Sequence, residues 1–548
     1  MLLIRSRYKV LCFFIFLLCY SNIEAQVKKF TKRLNILWIT CEDMSPHLSC
    51  YGEKTIQTPN IDALAAQGIR FTNVFTAAGV CAPSRSAIIT GMYPTSIGTD
   101  NMRNYNPSAQ VDNSAVMPSY SVVLPPQVKC FPEYLRREGY FCTNNAKQDY
   151  QFEAPVTVWD ESSTKAHWRS RKKGQPFFAV FNLMITHESQ LWQRENEPLL
   201  VDPAKVSIPP YYPDVPEVRH DIARNFSNIK RMDDQVGKII EQLKEDGLYD
   251  ETIIFFYSDH GDCLPFVKRE VYDRGLRIPL IIRLPGGYKN GSTDDQMISG
   301  VDFAPTVLSL AGINVPRYMQ GHAFLGAQAT GKKREYVFAA RDRMDTEYDR
   351  VRTVHDGRFQ YVRNYMPDIP LYQDIKYRLS IPMMKRMLQM RDSGLLNKTQ
   401  MMWFKKTKPA EELYDFKNDR YELNNLANNP LYKKDLMKLR TALNNWLKET
   451  GDANATPEKE LVKRMWQGKD APPQTDTPRI IEQDHHITIT CSTEGASIGY
   501  KVITPLEEGK KEAWQVYNSE KILLQKGNKI IVRAQRIGFL FAEKSLVY

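Results

Sequence analysis

The sequence predicts an α/β fold: a largely parallel sheet flanked by helices, then a smaller α+β subdomain and an appended all-β module. Three observations predict it. The strand-like runs at 33–40, 175–184, 252–258 and 277–285 are continuously apolar rather than alternating, which suits parallel strands covered on both faces. Amphipathic segments lie between them, and strand alternating with helix is the pattern of a parallel sheet. Three of the runs are followed closely by Glu42-Asp43, His187 and Asp259-His260. In such sheets polar sites gather beyond the carboxyl ends of the strands, so one edge receives metal-type or acid–base residues from three strands. Any one of these groups alone would read as a loop charge.

The 548 residues exceed one ordinary domain. A composition of 42% hydrophobic and 25% charged residues excludes a disordered, collagen-like or low-complexity chain. The formal net charge of +11 is modest for this length. It reads as a solvated basic surface that also suits a polyanionic substrate, and no nucleic-acid partner is expected.

At the start, Arg5, Arg7 and Lys9 precede the apolar run 10–19, and Ala25 is a small residue before a plausible cut. This is the pattern of a signal peptide over 1–25. The run is too short for a bilayer, which needs about 20 helical residues. The chain is therefore expected to be exported, periplasmic or extracellular, with no transmembrane segment after cleavage. Lipid attachment at Cys19 is an alternative, although Leu17-Leu18 replaces the small residues such a site prefers. Cleavage leaves a charge of +9 and seven cysteines: Cys41, Cys50, Cys81, Cys130, Cys142, Cys263 and Cys491. They are scattered, odd in number and lack a CxxC pair, which argues against a disulfide framework or a cysteine zinc site.

The remaining elements follow in order. Pro59 early and Gly68 late bound a helix over 59–68. In 227–246, Ile229, Met232, Val236, Ile239, Ile240 and Leu243 make one buried helical face. Residues 331–452 hold shorter strands (YVFAA, FQYVRNY) and a helix near 431–449, and form the subdomain beside a main domain of 26–330. The polar, Pro-rich 453–479 reads as a linker. Residues 480–548 alternate at strand period in HITITCST, SIGYKVI, KILLQ and KIIVRAQR, and form a small β-sandwich-like module.

Residues 79–92, GVCAPSRSAIITGM, carry the most specific motif. Read alone, Cys81 with Pro83 suits the first turn of a helix. Cys81-Ala82-Pro83-Ser84-Arg85 with Thr90-Gly91, however, resembles the signature of the type I sulfatases of the alkaline phosphatase superfamily. TPNIDALAAQGIRFTNVFT (58–76) is similar to the segment before the sulfatase cysteine, and ELYDFKNDRYELNNLANNP (412–430) to the family's C-terminal signature. The resemblance runs over roughly 33–450 and implies an alkaline-phosphatase-like fold.

It also implies a chemistry. In that family the cysteine is oxidised to formylglycine (3-oxoalanine) by a maturation enzyme. One hydroxyl of the hydrated aldehyde attacks sulfur and the second later expels sulfate. By resemblance Glu42, Asp43, Asp259 and His260 match the metal ligands; hard carboxylates suit Ca²⁺, with Mg²⁺ the lesser candidate, while an imidazole also admits softer ions. Glu42 departs from the commoner Asp. Arg85 matches the residue that holds the nucleophile, Lys147 and Lys268 the lysines that bind sulfate oxygens, and His187 the histidine that protonates the leaving group. The family's K-W-H segment appears here as Lys147-Gln148-Asp149. Asp149 is therefore a candidate substrate contact and cannot copy a cationic histidine.

In 341–352, RDRMDTEYDRVR, Arg341, Arg343, Arg350 and Arg352 are candidates to grip carboxylates or further sulfates; a salt-bridged loop is the equal alternative. The expected substrate is a sulfated oligosaccharide or glycosaminoglycan. NIKRMDDQVGKI (228–239) and the charged loop look somewhat like N-sulfoglucosamine sulfohydrolases (heparan N-sulfatases), which makes an N-sulfate one candidate. Two other readings stay open: a phosphodiesterase or phosphonate hydrolase of the same superfamily, and a non-catalytic glycan-binding relative.

Overall fold

The computed structural model describes residues 33–105, 118–505 and 513–548. The expected signal peptide and Cys19 lie outside the described residues.

The main sheet has eight strands: β1 (Asn35–Cys41), β2 (Ile69–Phe75), β3 (Phe141–Asn145), β4 (Glu161–Ser162), β5 (Phe177–Leu183), β6 (Thr252–Ser258), β7 (Leu280–Arg283) and β8 (Ser292–Ser299). Their spatial order is β4-β3-β5-β1-β6-β7-β2-β8. The central β5, β1 and β6 are parallel, with Cys41 opposite both Leu183 and Ser258. The three runs expected to share an edge thus end level with one another.

The continuous apolar runs are explained by cover on both faces. Leu37, Ile39, Phe177 and Phe181 meet one cluster, which includes Ile229, Met232 and Val236. Ile36, Trp38, Phe178 and Phe255 meet the other, with Phe303 and Val307. One expectation is corrected. The continuously apolar run 277–285 predicts another parallel strand, yet β7 is antiparallel to both β6 and β2. The connection after β6, the loop 259–276, stays at the end of the sheet where β6 stops, with Gly261 N bonded to Gly275 O and Lys268 paired with Asp43, so β7 starts at that end and runs back.

Helix α1 (Pro59–Ala66) forms where expected, with Pro59 at its first position. Helix α2 (Cys81–Thr90) is buried throughout and ends on Gly91 at φ +68°, a left-handed cap. Helix α3 (Pro216–Glu245) begins eleven residues before the segment read from the sequence. The added turns contain Arg219, His220, Asp221 and Arg224, which interrupt the apolar spacing, although Asp221 and Arg224 are buried.

The subdomain is a four-stranded antiparallel sheet of β9 (Val337–Arg341), β10 (Val351–His355), β11 (Phe359–Asn364) and β12 (Glu411–Asp415). Helix α4 (Lys433–Thr450) packs Leu436, Leu439, Leu443 and Trp446 against it. The segment read as a linker is partly helical: α5 (Glu458–Met465) buries Leu461, Val462 and Glu458. The last module has two antiparallel sheets, one of three strands and one of four, around Ile487, Tyr500, Ile530 and Val532. It docks on the main domain through Lys129, whose Nζ donates to Gly495 O and Ser497 Oγ, and through Ser497 Oγ donating to Glu133.

Candidate active site

The ends of β1 and β6 are bonded crosswise. Asp43 N donates to Asp259 Oδ1 at 3.1 Å, and Met44 N to Ser258 Oγ at 2.9 Å. This places Glu42, Asp43, Asp259 and His260 side by side, all fully buried. Cys81 opens α2, and Arg85 follows one turn later on the same face. Arg85 Nε donates to Asp259 Oδ2 at 3.0 Å, Nη1 to Asn182 Oδ1 at 2.8 Å, and Nη2 to Glu42 Oε1. One guanidinium therefore ties together residues from the ends of β1, β5 and β6. Gly79 lets the cysteine turn approach the loop 259–276: a Cβ there would meet the Glu270 carbonyl at 2.3 Å, and Arg269 N donates to Gly79 O at 2.7 Å.

That loop supplies Lys268, which is 2% exposed and paired with Asp43 Oδ2. From beyond β3, Lys147 Nζ reaches Glu42 Oε2 at 2.5 Å and Asp149 Oδ2 at 3.6 Å. His187 Nδ1 lies 2.9 Å from Ser189 Oγ and accepts from Ser189 N at 3.3 Å. Cys81 itself is buried at the head of α2, in an apolar cluster with Met102, Met344 and Ile375. All nine residues expected at the catalytic and metal positions thus converge at one sheet edge, joined by Asp149.

Three residues of the site escaped the sequence reading. Glu188 takes a two-pronged bond from Arg269 (2.8 and 2.5 Å), and its own N–H donates to Asp43 Oδ2 at 2.8 Å. Asn182 receives Arg85. Their signals were adjacency to His187 and Lys268, and one amide breaking the apolar run of β5.

The arginines of 341–352 are placed differently. Arg341 and Arg352 are buried, Arg341 with Asp349 and Gln373, Arg352 with Asp342 at 2.8 Å and Asp452 at 2.7 Å. Arg343, 6% exposed, forks onto Glu458 at 2.6 and 2.7 Å. Arg350 pairs with Asp452 at 2.7 Å. These guanidiniums are taken by internal carboxylates, so the reading of them as substrate grips gives way to the salt-bridged alternative.

Charge compensation sets the ionisation of the site. Burial pushes Glu42 up, against the pull of Arg85. Burial works the same way on Asp43, but Lys268, His187 and His260 hold it well below the usual carboxylate range. Asp259 is likewise desolvated, yet His260 and Arg85 bring it down to about 2. Burial would lower His260, but Asp259 and Asp43 raise it to about 10. His187 is lowered to about 4, by burial and then by Lys268.

The donor set fits a divalent cation. Ligand atoms of Asp43, Asp259 and His260 lie within 4.8 Å of one another, as do those of Glu42, Asp43 and His187. Asp43 Oδ1 and His260 Nε2 are buried without a hydrogen-bond partner although only 2.9 Å apart. Two carboxylates and an imidazole around such orphaned atoms suit a divalent cation, with Glu42 beside them in a second group that shares Asp43.

Comparison with known proteins agrees with this geometry. A sulfatase family model matches residues 34–156 and 141–313, and the model for the C-terminal part of N-sulphoglucosamine sulphohydrolase matches 261–367. An ulvan-active sulfatase of Formosa agariphila is 43% identical over 97% of this chain and 95% of its own. Human N-sulphoglucosamine sulphohydrolase is 24% identical over 76% of this chain and 90% of its own. A solved structure bound to its substrate, D-glucosamine-2-N,6-O-disulfate, superposes with a TM-score of 0.54 at 20% identity, covering 76% of this chain and 98% of that one.

Proposed function

The chain belongs to the sulfatase family, within the alkaline phosphatase superfamily, and on that premise we propose that it is an exported enzyme removing sulfate from a sulfated glycan, with formylglycine derived from Cys81 as nucleophile. The observation that carries the reading is that Arg85, one turn after Cys81 on α2, bonds Glu42 and Asp259, while Lys147 pairs with that same Glu42 and Lys268 with the adjoining Asp43.

Formylglycine at this position, made by a maturation enzyme, would supply a hydrated aldehyde with one hydroxyl for attack and one for release of sulfate. A Ca²⁺ held by Glu42, Asp43, Asp259 and His260 would supply Lewis-acid polarisation of a sulfate oxygen. The protein's own groups do the rest. Arg85 fixes the helix that presents Cys81 to the carboxylate cluster. Lys147 and Lys268 are the ammoniums placed for sulfate oxygens, where fixed cations stabilise charge developing in the transition state. His187 is neutral at pH 7 in this state. Because Ser189 N donates to its Nδ1, the ring proton sits on Nε2, the atom left to serve the departing oxygen or nitrogen. Export rests on the segment 1–25. Among the described residues no helix is long and apolar enough to cross a membrane.

The similarity to an ulvan-active sulfatase favours a polysaccharide sulfate ester, with the N-sulfate of glucosamine second. Sulfate release after co-expression with a formylglycine-generating enzyme tests this, using ulvan oligosaccharides and N-sulfoglucosamine side by side. Release from the former supports the reading; release only from the latter transfers it to the N-sulfatases; release from neither, with phosphonate or phosphodiester turnover instead, defeats it.

A further inference from the structure

We propose that Arg103 and Tyr377 form a recognition subsite for an anionic group, a carboxylate or a second sulfate, on the sugar next to the sulfate being removed. This rests on the sulfatase reading and names what the mouth of that site selects.

Arg103 stands at the rim with its side chain 41% exposed, between buried Met102 and Asn104. Met102 lies in the same apolar cluster as Cys81, with Met344 and Ile375. The guanidinium sits over the Tyr377 ring, 4.9 Å from its centroid, and that ring is 6.2 Å from the ring of His187. The pair therefore borders the position of the leaving group. Asp345 meets Arg103 Nε at 3.1 Å, and among the described residues the two terminal nitrogens have no hydrogen-bond partner. An arginine with one edge steadied, stacked on an aromatic face, offers its fork to a planar or tetrahedral oxyanion. The ring beside it suits the apolar face of a sugar.

The backbone is built to present this group. Arg103 has φ +62° and Asp345 φ +54°, conformations that non-glycine residues rarely adopt and that persist only when the surroundings enforce them. The enforcing residue is the buried Arg343. Its Nη1 donates to Met102 O at 3.1 Å and to Asp345 O at 2.5 Å, its Nη2 donates to Asn104 Oδ1 at 2.9 Å, and its carbonyl accepts from Met102 N at 2.7 Å. Asn104 N is further held by Gln151. The arginine that sequence offered to substrate thus clamps the two turns that carry Arg103 and its partner.

The test uses the matured full-length enzyme and three probes: a sulfated disaccharide carrying a uronate, its carboxyl-reduced counterpart, and a disulfated disaccharide without a carboxylate. The wild type should prefer the uronate or the disulfated probe to the reduced one by about tenfold or more in kcat/KM, expressed mainly in KM. Whichever arm shows the preference identifies the anion. Arg103→Ala should erase the preference and Arg103→Lys restore part of it. A preference that survives Arg103→Ala, or a wild type indifferent in both arms, overturns the proposal. Calorimetric binding of the same probes to Cys81→Ala, with and without Arg103→Ala, reads the same preference without turnover. A wild type that releases sulfate from no probe counts against the sulfatase reading, and the binding measurement then decides the subsite by itself.

Discussion

His260 Nε2 stands 2.9 Å from Asp43 Oδ1, and neither atom completes a hydrogen bond although both are fully buried. Buried polar atoms in this condition are rare in native proteins and point to a missing partner. The two residues come from the ends of adjacent parallel strands, β1 and β6, so sheet register itself brings them together.

The first prediction follows from that pair. Chelation should lower the unfolding midpoint and abolish turnover, and Ca²⁺ should restore both; at a hundredfold excess over Kd the stabilisation is about 2.7 kcal/mol. Asp43→Asn should lose the Ca²⁺-dependent shift. Thermal unfolding with and without chelator checks it, and an unchanged midpoint counts against a resident cation.

Arg85 holds Glu42, Asp259 and Asn182 at once. Removing one partner of a buried charge network leaves the others uncompensated, a loss of about 3–5 kcal/mol. Arg85→Ala should show a loss of this size in urea unfolding, together with loss of activity. Arg85→Lys keeps the charge without the fork and should fall between the variant and the wild type.

Arg343 and Glu458 join the subdomain to α5 by a buried two-pronged contact. Arg343→Ala and Glu458→Ala should each destabilise by about 3–5 kcal/mol. The double variant should cost clearly less than the sum, by about 1–3 kcal/mol. Additive losses would show that the pair is not coupled.

His47 gives a pH signature away from the proposed nucleophile. Burial would lower its imidazole, but Asp262 at 3.0 Å and Glu53 at 3.7 Å raise it to about 10. A raised histidine contributes stability that is complete below its unfolded pKa of about 6.5 and declines as pH rises toward 10. The unfolding midpoint should therefore fall between pH 6.5 and 10 more steeply for wild type than for His47→Gln. Parallel curves would refute the assignment.

Much of the site was legible because strand ends are readable. Continuous apolar runs stop where polar pairs begin, and a parallel sheet sends those ends to one edge. What was not legible depends on partners distant in sequence. Arg343 looked like part of an exposed charged loop because Glu458 lies 115 residues away, and Arg352 is answered by Asp452 a hundred residues on. The antiparallel course of β7 was hidden because an apolar run carries no direction. Arg103 was hidden because its significance lies in a ring, Tyr377, that only the folded chain brings beneath it.

The central claim concerns Cys81, and mass spectrometry of the peptide containing it tests that claim most directly, on protein co-expressed with a formylglycine-generating enzyme and assayed in parallel for sulfate release. The account predicts the aldehyde or its hydrate at position 81 in active protein, and no release from Cys81→Ala. An unmodified thiol in protein that still releases sulfate, or near-normal release by Cys81→Ala, would contradict it.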